Sequence, residues 1–143
     1  MITGLVAVEV EALSRVPLLE GLDRPELEAL ARELREHTFP EGAAITTEGR
    51  RGARVLGFFI IAEGRASVIA GGETKATLGA GDYFGEIALM YDVPRTATVR
   101  ADTDLRCFAL SAWEFRPFVE ANPKVVWPLL ECMARRLAEL AQG

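Results

Sequence analysis

The sequence contains little of what metal and disulfide sites require. It has two cysteines, Cys107 and Cys132, and one histidine, His37. Two cysteines cannot form a four-cysteine zinc or iron–sulfur site, and one histidine cannot form a histidine-rich metal centre. Both cysteines are expected to be small buried side chains in a reducing compartment rather than disulfide partners. We predict no metal site, and we place His37 at the junction of a helix and the first strand, without a chemical role.

The chain also lacks long hydrophobic runs and an excess of positive charge. No uncharged run exceeds eight residues, which is too short to cross a bilayer. The N-terminal stretch has no basic start and contains Glu9 and Glu11, unlike a signal peptide. Sixteen Lys and Arg against 21 Asp and Glu give a net charge of −5, which disfavours direct DNA binding. These features predict a cytoplasmic protein, or a cytoplasmic part of one, that does not enter a membrane.

The length suits a single domain, residues 1–143, and the apolar pattern divides it into three regions. Residues 1–36 are predicted to be helical, with Asp23 and Glu26 forming a capping box. Residues 37–110 consist of short apolar runs broken by glycine, which is typical of a β-barrel or sandwich. The predicted strands are Ala43–Thr47, Arg54–Ala62, Ala66–Ile69, Lys75–Leu78, Arg95–Arg100 and Leu105–Leu110.

Residues 111–143 return to a helical period. Ser111 and Glu114 form a second predicted capping box. Asn122-Pro123 is interpreted as the N-cap and first position of a final helix that runs to about Ala141. Pro128 is expected to kink this helix because it removes a backbone hydrogen bond. An apolar stripe is expected to pack on the barrel or on a second copy of the chain, which leaves a homodimer through the C-terminal helix open; a lid over the base of the ligand is the additional alternative. The stripe consists of Val126, Leu130, Met133, Leu137 and Leu140.

The segment from Gly81 to Val99 departs from ordinary strand-and-turn composition. Gly85 permits unusual backbone dihedral angles and close approach of a ligand. The residues that follow it are enough for one helical turn, whose free N–H groups would face an anion. A helix N-terminus near Arg95 is suited to bind a phosphate. Glu86 would repel that phosphate unless it accepts a hydrogen bond from a hydroxyl of the same ligand, and a nucleotide with a ribose 2′-OH beside its phosphate has both groups.

This segment resembles the phosphate-binding cassette of the cyclic nucleotide-binding domain family, whose members include the catabolite activator protein and protein kinase A regulatory subunits. The resemblance rests on Phe-Gly-Glu-Ile-Ala-Leu at 84–89 and Pro-Arg-Thr-Ala-Thr-Val at 94–99. It extends to Leu-Leu-Glu-Gly-Leu at 18–22 and to Met-Ala-Arg-Arg-Leu at 133–137. It implies a mainly β fold with flanking helices: a jelly-roll β-barrel with N-terminal helices, a short phosphate-binding helix and C-terminal helices.

The resemblance also implies which residues hold the ligand. Arg95 would pair with the cyclic phosphate, and Glu86 would accept a hydrogen bond from the ribose 2′-OH. Thr96 would donate to the phosphate or, in a cGMP complex, contact the guanine amino group; an ordinary strand threonine is the alternative. Val68 and Arg136 match positions that reach the base, although Arg136 can also be read as a solvated helical side chain. The implied ligand-binding residues are Gly85, Glu86, Ile87, Ala88, Arg95, Thr96, Val68 and Arg136.

These features predict a non-enzymatic sensor that binds cAMP or cGMP and needs no cofactor. Its C-terminal helix would move when ligand fills the site and would signal to an effector protein or a fused effector domain. One alternative keeps the fold but senses a different effector or acts only as a protein-interaction module. Another is a small enzyme of the cupin type, which would need several histidines on facing strands; His37 alone cannot supply them.

Overall fold

Helices lie at both ends of the chain and strands between them. The computed structural model describes residues 10–46, 57–85 and 97–142. The helical segments are α1 (Val10–Ser14), a first 3₁₀ helix (Pro17–Leu19), α2 (Arg24–Glu33), α3 (Ala112–Ala121), a second 3₁₀ helix (Pro123–Val125) and α4 (Val126–Gln142). None of the helices in this described part is long and apolar enough to span a membrane.

The strands form two four-stranded antiparallel sheets. Their bounds are β1 (Arg35–Phe39), β2 (Ala44–Thr46), β3 (Phe58–Glu63), β4 (Ala66–Ala70), β5 (Glu73–Leu78), β6 (Tyr83–Phe84), β7 (Thr98–Ala101) and β8 (Leu105–Leu110). The strand order is β1-β8-β3-β6 in the first sheet and β2-β7-β4-β5 in the second. The expected jelly-roll fold, mainly β with flanking helices, is confirmed.

The first strand, β1, was not among the predicted strands, and it begins inside the region predicted to be helical. Helix α2 ends at Glu33, Leu34 is already extended, and β1 runs from Arg35 to Phe39 along β8. His37 therefore lies in the middle of a strand, opposite Cys107, and not at a helix–strand junction. The pattern misleads because β1 is an edge strand with mostly exposed side chains, so its polar residues extend the apparent helical surface.

Most other strands lie close to their predicted positions. The run Leu105–Leu110 is confirmed at both ends, and β4 and β5 differ from prediction by one or two residues. The short strand β6 was not predicted, because two residues give no periodic signal. The outer ends of three predicted strands, residues 47, 54–56 and 95–96, lie outside the described residues.

The two faces of the first sheet carry separate hydrophobic clusters. The helix-side cluster joins strand residues such as Phe58 and Phe108 to leucines of the N-terminal helices and to Phe115, Phe118 and Leu129. The inter-sheet cluster contains Phe59, Phe84 and Val99. Alternate residues of β3 thus face opposite clusters, as the period of a strand requires. Both faces of this sheet are covered, which explains the nearly continuous apolar sequence of β3 and β8.

Both predicted capping boxes are present. In α2, the Asp23 carboxylate accepts the Glu26 N–H and the Glu26 carboxylate accepts the Asp23 N–H, each at 2.9 Å. In α3, the Glu114 carboxylate accepts both the backbone N–H of Ser111 at 3.0 Å and its hydroxyl at 2.6 Å. These bonds satisfy groups that the start of a helix leaves without an intrahelical partner.

The start of the final helix corrects two expectations. Asn122 does not cap it with its side chain; instead its amide donates to the Phe118 carbonyl at 2.9 Å, at the end of α3. The residues Pro123–Val125 form a 3₁₀ turn, and α4 begins only at Val126. Pro128 lies in the first turn of α4 and has no N–H to donate to the Lys124 carbonyl, which agrees with a regular α-helix that begins only at Val126. The predicted kink at Pro128 stays a prediction.

The predicted apolar stripe is not the face of α4 that packs on the barrel. Of its described members only Met133 packs against the helix-side cluster, whereas Val126, Leu130 and Leu137 are 37%, 50% and 69% exposed. The packed side chains are those of Val125 and Leu129, with Cys132 and Met133 partly buried beside them. The side chain of Leu140 lies outside the described part.

Candidate functional site

The structure describes three of the eight predicted ligand-binding residues: Gly85, Val68 and Arg136. The other five lie outside the described residues, so their predicted roles stay predictions. They are Glu86, Ile87, Ala88, Arg95 and Thr96. The described residues on either side nevertheless fix where the segment 86–96 leaves the barrel and where it returns.

Gly85 lies at the end of β6, where the segment leaves the first sheet. Its φ is +96°, in the left-handed region that glycine adopts without steric cost. Phe84, immediately before it, pairs with Phe59 of β3, and the two rings stack with their centroids 5.0 Å apart. Gly85, which permits the turn, is therefore positioned by the buried stacking of two rings of the first sheet, in the space between the two sheets.

The turn before β6 is anchored to the same strand. The backbone N–H of Ile61 donates to the Asp82 carbonyl and the N–H of Gly81 donates to the Ile61 carbonyl, both at 2.8 Å. The Asp82 carboxylate accepts the N–H of Gly79 at 2.8 Å, which closes the turn. Gly85 thus follows a rigidly held turn and strand.

The segment returns to the barrel in the second sheet, where Ala97 precedes β7. This strand lies between β2 and β4, and its Val99 pairs with Val68 of β4. Val68 is half-buried and packs against the inter-sheet cluster that also contains Phe84. The structure therefore brings Val68 to the same cluster as the residue before Gly85. Its predicted contact with a base is untested.

Arg136 reaches the barrel from α4. Its Nη2 donates to the Tyr83 carbonyl at 2.8 Å, and its guanidinium carbon lies 5.1 Å from the centroid of the Tyr83 ring. The interpretation of Arg136 as a solvated helical side chain is therefore wrong. The residue is half-buried, and it contacts Tyr83, which lies two residues before Gly85.

Tyr83 is a residue of this region that sequence reasoning missed. It is buried, packs against Phe58 on the helix side of the sheet, and accepts Arg136 at its carbonyl. Among the described strands β6 lies at the edge of its sheet, where a backbone carbonyl can accept a side-chain donor. The sequence feature that could have identified Tyr83 is its position, as an aromatic residue directly before Phe84 and Gly85.

A cavity of about 520 Å³ opens beside Tyr83, on the helix side of the sheet. It lies between the first 3₁₀ helix, the turn before β6, and α4. Cys132 and Arg136 line it from α4, and Gly81 and Tyr83 from the barrel. Cys132 has a free thiol there, whereas burial raises the pKa of the Cys107 thiol inside the barrel to about 12.

Comparison with known proteins identifies relatives across most of the chain. A family model described as "Cyclic nucleotide-binding domain" matches residues 36–122. A cAMP-dependent protein kinase regulatory subunit of Yarrowia lipolytica is 42% identical over 100 residues, which is 68% of this chain and 26% of that protein. This chain therefore spans about a quarter of that relative's length.

Solved structures of the same shape include the catabolite activator protein of Thermus thermophilus. Its TM-score is 0.77 at 28% identity, over 88% of this chain and 60% of that one. The regulatory subunit of a cAMP-independent protein kinase A from Trypanosoma cruzi, bound to guanosine, has a TM-score of 0.68 at 27% identity. That match covers 77% of this chain and 38% of the other.

Proposed function

This chain belongs to the cyclic nucleotide-binding domain family, and from that membership we propose that it is a sensor that binds cAMP or cGMP without transforming it. The observation that carries the proposal is that the family match, residues 36–122, includes the whole of the segment 84–99 with both sequence motifs. The left-handed Gly85, which follows β6 within this segment, supports it, because close approach of a backbone to a phosphate favours glycine.

The proposed ligand contacts combine one cation, one carboxylate and several backbone donors. Arg95 pairs with the cyclic phosphate, and Glu86 accepts a hydrogen bond from the ribose 2′-OH. Backbone N–H groups at Gly85, Ile87 and Ala88 and the hydroxyl of Thr96 face the phosphate. Since the whole chain carries a net charge of −5, an anionic ligand depends on this local donor set.

The base is proposed to rest near Val68, beside the return of the segment into β7. Val68 pairs with Val99, two positions after Ala97, so it lies close to the point where the segment re-enters the barrel. Arg136, on α4, approaches the other end of the segment through Tyr83. The choice between adenine and guanine rests on Thr96.

The signal is proposed to leave through α4 to an effector protein or a fused effector domain in the cytoplasm. The relatives' regulatory names support a non-catalytic role. A cupin-type enzyme would show stoichiometric zinc or iron in a metal assay; none is expected. No direct contact with DNA or with a membrane is proposed for this chain.

The exposed side of α4 is proposed to pair two copies of the chain. Val126, Leu130 and Leu137 leave an apolar strip in solvent, which soluble monomers seldom keep along one helix face. Light scattering after size exclusion should give twice the monomer mass for the parent and the monomer mass for Leu137→Glu. A parent that is monomeric at high concentration contradicts this pairing.

One specific observation favours a second candidate, recognition of a nucleoside without the cyclic phosphate. A structural relative is named as a cAMP-independent subunit bound to guanosine. The two ligand classes differ in their dependence on Arg95, because only the phosphate needs a cation. Guanosine is therefore titrated beside cAMP, cGMP and a cyclic dinucleotide.

Isothermal titration of the purified chain tests the proposal. The parent should bind cAMP or cGMP, and Arg95→Ala should weaken binding by roughly 2–5 kcal/mol, about 30-fold to several-thousand-fold, because a desolvated phosphate loses its cation. Arg100→Ala, an exposed arginine on β7, is the control and should bind like the parent. Glu86→Ala should cost about 1–3 kcal/mol and narrow the difference between ribose and 2′-deoxyribose ligands. Equal affinity of Arg95→Ala and the parent would show the site assignment to be wrong.

A further inference from the structure

Strand β7 receives the segment proposed to bind the ligand, and the alternation of its own side chains does not specify its register. Val99 and Ala101 belong to the inter-sheet cluster, and Ala97 continues the same alternation toward the segment. Because side chains of a strand repeat every two residues, a shift of β7 by two residues would still place apolar side chains on the inner face. The alternation therefore does not determine which residue of β7 lies opposite Val68.

The two neighbouring strands add only part of the missing information. The pairing of β2 with β7 shifts register between Ala44 and Thr46, so these two strands do not form one regular ladder. The pairing of β4 with β7 is regular, but an antiparallel ladder repeats its hydrogen bonds every two residues and can form again after a shift of two. A fixed point at one end of β7 would specify the register.

The turn 102–104, which follows β7, provides such a point because its side chains bond to other turns. The Thr103 hydroxyl oxygen accepts the Arg65 N–H at 3.0 Å, in the turn that leads into β4. The Asp104 carboxylate accepts the Glu41 N–H at 2.9 Å, in the turn that leads into β2. The turn is thus tied to the elements on both sides of β7.

Backbone hydrogen bonds reinforce the tie at the same end of the strand. The Asp102 N–H donates to the Arg65 carbonyl at 2.9 Å. The Ala101 N–H donates to the Ala43 carbonyl at 2.8 Å, and the Ala101 carbonyl accepts the Gly42 N–H at 2.7 Å. The last residues of β7 therefore bond to the approaches of β2 and β4 alike.

The turn is packed closely as well as bonded. Gly64, in the turn between β3 and β4, has a φ of +100°, and a Cβ there would collide with the Asp104 carbonyl oxygen. The Thr103 hydroxyl donates to that same carbonyl at 2.9 Å. The Asp102 carboxylate accepts the Ser67 hydroxyl of β4 at 2.6 Å. Close packing and side-chain bonds together leave this end of β7 little freedom to shift.

We propose that Thr103 and Asp104 are positioning residues that fix the register of β7, and with it the place where the segment proposed to bind the ligand re-enters the barrel. Neither residue is proposed to touch the ligand, because the segment joins the opposite end of β7, at Thr98. Arg95, the proposed phosphate partner, lies three residues before Thr98. A shift of two residues would move this attachment by about 7 Å. The effect on the ligand rests on the proposed function, whereas the fixed register does not.

The first measurement is amide hydrogen exchange by NMR without nucleotide. Thr103→Val keeps the shape of the side chain, removes the hydroxyl, and should speed exchange of the Ala101 and Asp102 N–H groups about fivefold, the factor for one lost hydrogen bond. Neither group donates to Thr103. Thr103→Ser should stay within about twofold of the parent, as should Thr77→Val, the same substitution at an exposed position of β5. Exchange in Thr103→Val within about twofold of Thr77→Val overturns the fixed register.

Asp104 gives an independent test, which decides the question if circular dichroism shows Thr103→Val to be unfolded. Asp104→Ala removes the acceptor of the Glu41 N–H, whereas Asp104→Asn keeps an oxygen in its place. Asp104→Ala should speed exchange of the Ala101 N–H about threefold, and Asp104→Asn should change it less than about twofold. Equal exchange in the two variants overturns the tie to β2.

The second measurement is calorimetric titration with whichever of cAMP and cGMP binds the parent. Thr103→Val should weaken binding about fivefold, and Thr103→Ser and Thr77→Val less than about twofold. Asp23→Ala removes a side-chain to backbone bond from α2, controls for a general loss of stability, and should bind like the parent. Faster exchange with unchanged affinity overturns the effect on the ligand. If the parent binds neither nucleotide, the proposed function fails, while the exchange rates still decide whether the turn fixes β7.

Discussion

The two hydrophobic clusters on either face of the first sheet are built from different side chains. The helix-side cluster is rich in leucine and phenylalanine and draws them from both ends of the chain, from Leu13 to Leu129. The inter-sheet cluster lies within residues 59–109 and includes the small side chains Ala66, Ala101 and Ala109. The sheet itself separates the two clusters, since alternate residues of β3 face one or the other.

This difference assigns separate tasks to the two clusters. The inter-sheet cluster holds both ends of the segment proposed to bind the ligand, because Phe84 and Val99 belong to it. The helix-side cluster fixes the elements proposed to carry the signal, because Phe115, Phe118 and Leu129 belong to it. Adjacent residues of β3 face one cluster or the other, so one strand offers a matched test.

The largest effects are expected for Phe58→Ala and Phe59→Ala, each about 3–5 kcal/mol of unfolding free energy in urea denaturation. Both side chains are fully buried, so their stability costs should be similar. Their local effects should differ: Phe58 lies against Phe115 of α3, 5.0 Å between centroids, and Phe59 stacks on Phe84. Phe59→Ala should therefore weaken cyclic nucleotide binding more, and Phe58→Ala should speed hydrogen exchange in α3. The same affinity in both variants would contradict the division of tasks.

The sequence predicted local features on both sides of this comparison better than it predicted how α4 packs on the barrel. The apolar run that forms β8, which is covered on both faces, was predicted with both ends correct. The capping boxes at Asp23 and Ser111 were predicted because they are local sequence signals. Local sequence does not show which face of α4 packs, because that depends on the surface of the barrel that lies beside the helix. The stripe through Val126 and Leu130 is as regular as the buried face through Val125 and Leu129. Periodicity alone therefore does not show which of these two faces is buried.

The contact between Arg136 and Tyr83 was missed for a similar reason. Nothing in the sequence near Arg136 indicates that an edge-strand carbonyl, 53 residues earlier, lies within 2.8 Å. The motif around Gly85 is different, since its glycine, carboxylate and arginine lie close together in sequence. That is why the ligand class could be predicted from the sequence alone and the docking of α4 could not.

An intermediate effect is expected on α4, where two adjacent leucines sharpen the comparison. Leu129 is 5% exposed in the helix-side cluster, and Leu130 is 50% exposed. Leu129→Ala should lower the unfolding free energy by about 2–4 kcal/mol, because it removes a buried side chain and leaves a cavity. Leu130→Ala should change it by about 0.5 kcal/mol or less. A large, concentration-dependent effect at Leu130 would instead support the paired form of the chain.

The smallest expected effect is a pH dependence of the unfolding free energy, which we expect from Glu114 of α3 and not from the inter-sheet cluster. The hydroxyl of Ser111 donates to the Glu114 carboxylate, which holds the pKa of Glu114 below its ordinary value of 4.5. A carboxyl with a lowered pKa in the folded state stabilises the fold above that ordinary value, and the contribution is lost as pH falls through the folded pKa. No comparable change is expected from Cys107 in the inter-sheet cluster at acidic pH, since its pKa is raised to about 12.

Glu114→Gln should therefore lower the unfolding free energy by about 0.5 kcal/mol at pH 7, the amount expected for a partly exposed charge at a helix N-terminus. The difference from the parent should shrink as pH falls below 4.5 and through the folded pKa of Glu114, because the parent carboxyl then loses its charge. Glu28→Gln, an exposed glutamate beyond the first turn of α2, is the matched control and should show a smaller difference at pH 7. A Glu114→Gln difference that does not shrink as pH falls would mean that the amide disturbs packing, because a lost charge can destabilise the fold only where the parent carries it.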